Sequence, residues 1–166
     1  MARIYRQSYG LFVCNGILYN HESARRGENF VTQKIARAAA RISRGLERDL
    51  VLGNTAARRD WGHARDYVEA MWLMLQHDEP DDYVVATGVA HSVQEFVEAA
   101  FAAVNLPWEE FVRHNSAFER PNEPNQLVGS PEKIERTLGW RPRTSFPDLV
   151  REMVQAELAS LAAGAG

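Results

Sequence analysis

The sequence predicts an α/β fold, on three observations. The run LFVCNGIL at residues 11–18 is mostly apolar with little alternation, the pattern of a strand buried on both faces of a sheet. Segments with apolar residues at 3.6-residue spacing follow it, the clearest at residues 30–46 and 64–76. Short apolar stretches at 50–52 and 83–88 fall between successive helical segments, so strand and helix alternate along the chain.

At 166 residues the chain is long enough for one domain with a sizeable core and too short for two ordinary ones. A hydrophobic content of 45%, charged residues at 25% and a net charge of -3 describe a globular protein with no bias toward disorder or nucleic acid. Cys14 is the single cysteine and sits in an apolar run, so it forms no internal disulfide and fits a reducing compartment as a small buried hydrophobe. No apolar run approaches the roughly 20 residues needed to span a bilayer, and residues 1–6 lack the apolar stretch of a secretory signal. The expectation is a cytoplasmic protein with no membrane contact.

Taken in order, residues 1–8 read as the last turns of a helix ended by Tyr9 and Gly10. After the strand at 11–18 comes a polar, irregular segment, 19–29, carrying Asn20, His21, Glu22, Arg25 and Arg26. In open α/β sheets that carboxyl edge is where ligands sit. The helix at 30–46 takes Asn29 as its cap and has Gly45 near its end. Val31, Ile35, Ala38, Ala39, Ile42 and Leu46 fall on one side of it; Lys34, Arg37, Arg41, Arg44 and Arg48 fall on another, a basic stripe expected to be solvated or to face another subunit.

Residues 50–52 form a short strand and 64–76 a helix with Tyr67, Val68, Met71, Trp72 and Leu75 inward. A turn at 78–82 leads to a strand at 83–88. Ser92, with Glu95 three residues later, makes a capping box for a helix that buries Val93, Phe96, Val97, Ala100 and Phe101. Residues 107–114 give one more strand, and 118–124 (FERPNEP) an ordered turn or loop. Ser130-Pro131 opens a short helix stopped by Gly139. Residues 146–161 form the closing helix, with Leu149, Val150, Met153 and Leu158 inward, and 162–166 should fray.

The stretch RRDWGH, between the strand at 50–52 and the helix at 64–76, admits two readings. Arg58 and Arg59 beside Trp61 and a helix start suit an anionic, planar ligand, because Arg forks onto phosphate oxygens and helix-start amides favour negative charge. A solvated loop, with Arg58 or Arg59 paired to Asp60 or Asp66 and Trp61 merely packed, accounts for the same residues. Arg120 and Glu123 form a further candidate pair, of little consequence if they only bridge each other at the surface.

Several motifs do not occur in these residues. There is no G-x-G-x-x-G or G-x-x-G-x-x-G to bring backbone amides onto a pyrophosphate. There is no Y-x-x-x-K: the residues four beyond Tyr5, Tyr9, Tyr19, Tyr67 and Tyr83 are Tyr9, Val13, Ser23, Met71 and Thr87. The five histidines lack the spacing of a metal site, and neither Ser8 nor Ser23 lies in a nucleophile elbow. No self-contained catalytic set and no metal site is expected.

Together, NGILYNHESARRGENFVTQKIARA and LGNTAARRDWGHARDYVEAMWLMLQHDEPDDYVVATG closely resemble the C-terminal half of the GDP-mannose 4,6-dehydratases, extended short-chain dehydrogenase-like enzymes. SPEKIERTLGWRP is similar to the P-x-K-x-x-x-x-LGW-x-P element of that superfamily, with Ser130 where Asp is usual. The resemblance covers nearly the whole chain. It implies a partial Rossmann-like sheet plus the C-terminal substrate-binding α/β portion: residues 1–19 the end of a cofactor-domain helix and the following strand, 20–161 the substrate-binding portion, 162–166 a tail.

In that family a Rossmann domain binds NADP, a Tyr and a Lys assist oxidation at C4 of the mannose, and a Glu removes the C5 proton. Water then leaves from C6 and the hydride returns there. The resemblance implies that those parts lie upstream of this stretch, so that the chain is a shortened one. Position by position, it assigns His21 and Arg26 to NADP near its nicotinamide end, and Asn20 to the sugar or diphosphate. Val31 and Lys34 fall by the guanine and ribose, Arg59 on the diphosphate, and Arg120 with Glu123 on the nucleotide ribose and phosphates. Departures from the family pattern are Ala24 where proline is common, Asn122 and Pro124 flanking Glu123, and a short 106–117 connection.

Two readings of function follow. The first is a dehydratase-family lyase chain that keeps the grip on GDP-mannose or a related GDP-sugar, but alone neither holds NADP nor turns over substrate. The second is a non-catalytic GDP-sugar-binding or assembly module completed by a separate chain that supplies the cofactor domain. Nucleic-acid binding through the basic helix is disfavoured by the acidic total. A half-sheet exposes strand edges and an apolar face, so a homo-oligomer, a partner chain or poor solubility is expected.

Overall fold

The computed structural model describes residues 1–118 and 125–164. Helix α1 (Ala2–Tyr9) ends at Gly10, as expected, and buries none of its residues. It is tied down through Arg6, whose Nε donates to the Val13 carbonyl at 2.8 Å and whose guanidinium pairs with Asp82.

Strand β1 (Asn15–Leu18) is shorter than the expected 11–18, and it is not buried on both faces. It runs parallel to β5 (Asp82–Val85), with Gly16 opposite Tyr83, Ile17 opposite Val84 and Leu18 opposite Val85. Side chains alternate across a sheet, so Leu18, Tyr83 and Val85 share a face. That face packs on α3 (Ala64–Gln76) and α5 (Glu132–Leu138) in a core of Tyr67, Ala70, Met74, Ile134 and Trp140. Ile17 points the other way and is 54% exposed, because the described residues place no helix over that face.

A single residue, Tyr19, separates β1 from β2 (Asn20–Glu22), and there the chain changes sheets. Strand β2 runs parallel to β4 (Arg58–His63), which also pairs antiparallel with β6 (Ala90–Ser92) and parallel with β8 (Gln126–Leu127). The 19–29 segment is therefore not wholly irregular, and RRDWGH is a buried strand instead of a loop. Strand β3 (Leu50–Leu52) pairs in parallel with β7 (Val112–His114), which a 3-10 turn at Trp108–Glu110 precedes within the expected strand.

The larger core forms where α2 (Val31–Ser43), α4 (Val93–Ala102) and α6 (Phe146–Ala163) pack against Leu50, Leu52 and Trp61. Helix α4 buries all five of its expected apolar residues, and Ser92 accepts the Glu95 amide at 3.0 Å. The reciprocal half of that capping box is not formed, since the Glu95 carboxylate is taken by Arg58 and His91. Helix α2 is capped by the extended Phe30 and not by Asn29. Val31, its first residue, is exposed, and the expected Leu46 lies beyond the end of the helix at Ser43 and is exposed too. Helix α6 continues to Ala163, past the expected end.

On α3 the expected inward face is only partly right. Tyr67, Ala70 and Met74 are buried, while Val68, Met71, Trp72 and Leu75 form an exposed stripe beside them. The apolar arc of the helix is wider than the surface that β1 and β5 offer it. Two glycines allow close approaches that fix the sheet: a Cβ on Gly62 would lie 2.3 Å from the Tyr67 ring, and one on Gly129 2.5 Å from the Ala86 Cβ and 2.7 Å from the Tyr19 ring. No helix among the described residues is long and apolar enough to cross a membrane.

Candidate functional site

Asn20, His21 and Arg26 lie where β2 ends beside β4. Asn20 lies opposite Trp61, His21 opposite Gly62 and Glu22 opposite His63. The His21 ring packs on Tyr67 at 5.3 Å, and its Nδ1 donates to the Tyr19 carbonyl at 2.9 Å, which leaves Nε2 without a partner among the described residues. Asn20 and His21 are half-buried, so each keeps a side open to solvent.

Glu22 is buried behind them and accepts the Thr32 hydroxyl at 2.7 Å. The same oxygen lies 3.1 Å from Arg26 Nε, and the Arg26 guanidinium sits 3.4 Å over the Phe30 ring. Burial raises the Glu22 carboxyl above its ordinary range, against the lowering effects of Thr32, Arg26 and His21 in that order. Burial also raises the Tyr67 hydroxyl, helped by Asp60, Asp66 and Glu22, and among the described residues that hydroxyl has no hydrogen-bond partner.

Lys34 lies one turn into α2, where its Nζ donates to the Val51 carbonyl at 2.6 Å and lies 5.2 Å from the Phe118 ring. It borders an open cleft along the outer side of α2, with Arg37 and Arg41. Those two arginines pair with Glu28 and Glu47, so the basic stripe is partly neutralised. Val31 is exposed at the start of the same helix.

Arg58 and Arg59 do not form a common fork, because successive residues of a strand point to opposite faces. Arg58 is engaged with Glu95 at 2.8 Å and the Ala90 carbonyl at 2.6 Å. Arg59 is largely buried, and its Nη1 donates to the Arg58 carbonyl at 2.7 Å. Trp61 is no ligand wall: it is buried against Phe96 and Phe146. Arg120 and Glu123 lie outside the described residues. The segment that follows them returns along β4, with Gln126 opposite Arg58 and Leu127 opposite Arg59.

Asp60 and Glu22 are buried acidic groups to which the sequence reading gave no site role of their own. Asp60 accepts the Thr87 amide at 2.8 Å, the Thr87 hydroxyl at 2.6 Å, the Gly88 amide at 3.0 Å and the Gly129 amide at 3.3 Å. It thereby joins β4 to two loops. No periodic signal marks either residue, since both lie in polar strands. Among the described residues no group of three or more His, Cys, Asp or Glu could hold a metal ion.

A family profile described as GDP-mannose 4,6 dehydratase matches residues 1–153. The chain belongs to that family. It is 54% identical to GDP-mannose 4,6 dehydratase 2 of Arabidopsis thaliana over 93% of this chain and 41% of the plant protein. It is 48% identical to the Homo sapiens GDP-mannose 4,6 dehydratase over 93% of this chain and 46% of the human protein. The chain thus spans less than half the length of these relatives.

Among solved structures, RMD from Pseudomonas aeruginosa, complexed with NADPH, superposes with a TM-score of 0.88 at 21% identity, over 96% of this chain and 52% of that one. The Thermus thermophilus UDP-glucose 4-epimerase complex with NAD gives 0.75 at 27% identity, over 93% and 49%. The fold is accordingly the mixed α/β, Rossmann-like fold of the extended short-chain dehydrogenases. Binding of NAD(P) belongs to those matched structures.

Proposed function

We propose that these residues form the nucleotide-sugar-binding half of a GDP-mannose 4,6-dehydratase, converting GDP-mannose to its 4-keto-6-deoxy product only together with a cofactor-binding half outside them. One observation carries the reading: the family match runs through residues 1–153, yet that stretch contains neither a glycine-rich turn nor a Y-x-x-x-K. Without such a turn the cofactor pyrophosphate has no backbone cradle, and without Tyr, Lys and Glu there is no acid/base pair at the sugar.

The side chains present fit one end of NADP. His21, its Nε2 without a partner among the described residues, and Arg26 stand together at the carboxyl end of β2. When bound, NADP supplies the hydride acceptor; these two residues would hold it near its nicotinamide end. Asn20 and Arg59 would meet the sugar and diphosphate, Val31 and Lys34 the guanine and ribose, and Arg120 with Glu123 the nucleotide ribose and phosphates.

Titration calorimetry with GDP-mannose and with NADP separately tests the proposal. Weak GDP-mannose binding, no NADP binding and no turnover are expected. Tight NADP binding, or release of the 4-keto-6-deoxy product by the chain alone, would overturn it. The uncovered face of β1 and β5 favours a second reading, a binding or assembly module completed by a separate chain. Activity that appears only on mixing with a chain carrying the cofactor half would distinguish that case.

A further inference from the structure

Glu22 has no part in the assignments above, yet it lies between two of them. It ends β2, is 1% exposed, and its Oε2 accepts the Thr32 hydroxyl at 2.7 Å and lies 3.1 Å from Arg26 Nε, an ion pair without a hydrogen bond. Thr32 belongs to the first turn of α2, so one carboxyl oxygen joins strand, loop and helix. The Phe30 ring, 3.4 Å from the Arg26 Cζ, holds the guanidinium from a second direction. Among the described residues the two Nη groups of Arg26 have no partner, which leaves the fork available to an anion.

We propose that Glu22 is a positioning residue, which holds Arg26 through the charge pair beside its Nε so that the Nη fork is set for the phosphates of a nucleotide at the carboxyl end of β2. The proposal rests on the reading of Arg26 as a binding residue. A buried carboxylate with a single cationic neighbour is a poor device for stability alone, since desolvation consumes much of what the pair contributes. Fixing the direction of a long, rotamer-rich side chain is what such a contact does well.

The test is an NMR titration of the full chain, labelled at arginine, with inorganic pyrophosphate as the probe, followed at the Arg26 Nε–H resonance and at neighbouring amides. In Glu22→Gln the amide oxygen can still accept from Thr32 while the ion pair is gone. Pyrophosphate affinity is expected to fall by about fivefold or more. Arg26→Gln should abolish the response, and the double variant should bind no more weakly than Arg26→Gln, because Glu22 acts through Arg26. Thr32→Val, which removes the hydroxyl and keeps the ion pair, should stay within about twofold of wild type.

Wild-type affinity in a folded Glu22→Gln, or full additivity in the double variant, would overturn the proposal. So would a loss of about fivefold or more in Thr32→Val, which remains readable even if the Gln variant fails to fold. No response of Arg26 in the wild type also overturns it, whether or not GDP-mannose binds. Failure to bind GDP-mannose with the cycle intact would instead defeat the functional reading alone.

Discussion

Replacing Asp60 by Asn changes one atom and removes half of a four-donor site. Asp60 is fully buried, and its two oxygens accept from three backbone amides and one hydroxyl. Whichever way the Asn amide is turned, an NH2 replaces one oxygen. With Oδ1 kept toward Thr87, the Gly88 and Gly129 amides face a donor; with the amide flipped, the two Thr87 donors do. Each buried donor left unsatisfied costs about 1–3 kcal/mol, so the expected loss is roughly 2–6 kcal/mol. Near the middle of that range, a domain of this size would melt about 8–16 °C lower.

The assay is urea unfolding followed by tryptophan fluorescence, with a calorimetric melt alongside. Thr87→Val provides the scale: it removes only the hydroxyl, so it should cost about 1 kcal/mol. A loss below about 1 kcal/mol in Asp60→Asn, or a loss no larger than that of Thr87→Val, would refute the view that this carboxylate binds the two loops to β4.

Three further outcomes follow from the same structure. The chain should associate in a concentration-dependent way through the exposed α3 stripe, and Trp72→Glu there should give a single species in sedimentation velocity while moving stability by no more than about 0.5 kcal/mol, as for other surface changes; no association in the wild type, or unchanged association in the variant, would mean that the stripe is not a contact. The Glu22 carboxyl, raised by burial above 4.5, holds its proton more tightly in the folded chain than in the unfolded one, so its contribution to stability is largest below 4.5 and is lost as the pH rises through its folded value. Urea midpoints in a pH series upward from 4.5 should therefore fall in the wild type relative to Glu22→Gln, and parallel midpoints would contradict this. Asp82→Ala removes the carboxylate that holds Arg6 and Asn15, so hydrogen exchange should quicken across residues 2–9 with little change in the cooperative melt, because α1 buries nothing.

The helices were legible because each carries its own apolar period and end signals: α4 was readable down to its five buried residues and its Ser92 cap. Strand β4 was not. RRDWGH has no apolar alternation, and its extended form is imposed by partners distant in sequence, β2 on one side and β6 with β8 on the other. With no strand foreseen, one reading put Arg58 and Arg59 on the same ligand and the other left them in a solvated loop. As a strand it parts them and sends Trp61 into the core. The α3 stripe failed for the opposite reason: Val68, Met71, Trp72 and Leu75 are correctly periodic, but the described residues offer nothing for them to pack on.

The candidate site was legible as a place but not as a framework. A polar segment directly after an apolar strand marked residues 20–26, Glu22 among them, the resemblance singled out His21 and Arg26, and both lie by the end of β2. What fixes that place is a pair of acidic residues on adjacent strands, each in a polar stretch where hydrophobic patterning is blind. Glu22 ties β2 to the start of α2, and Asp60 ties β4 to residues 87–88 and to Gly129, just beyond β8. Apolar packing would hold these loops without directing them, since it is non-directional. A carboxylate with aligned donors fixes direction as well as distance. On the proposed reading the Arg26 fork needs that direction, and the Glu22 carboxylate beside it then serves anion binding instead of opposing it.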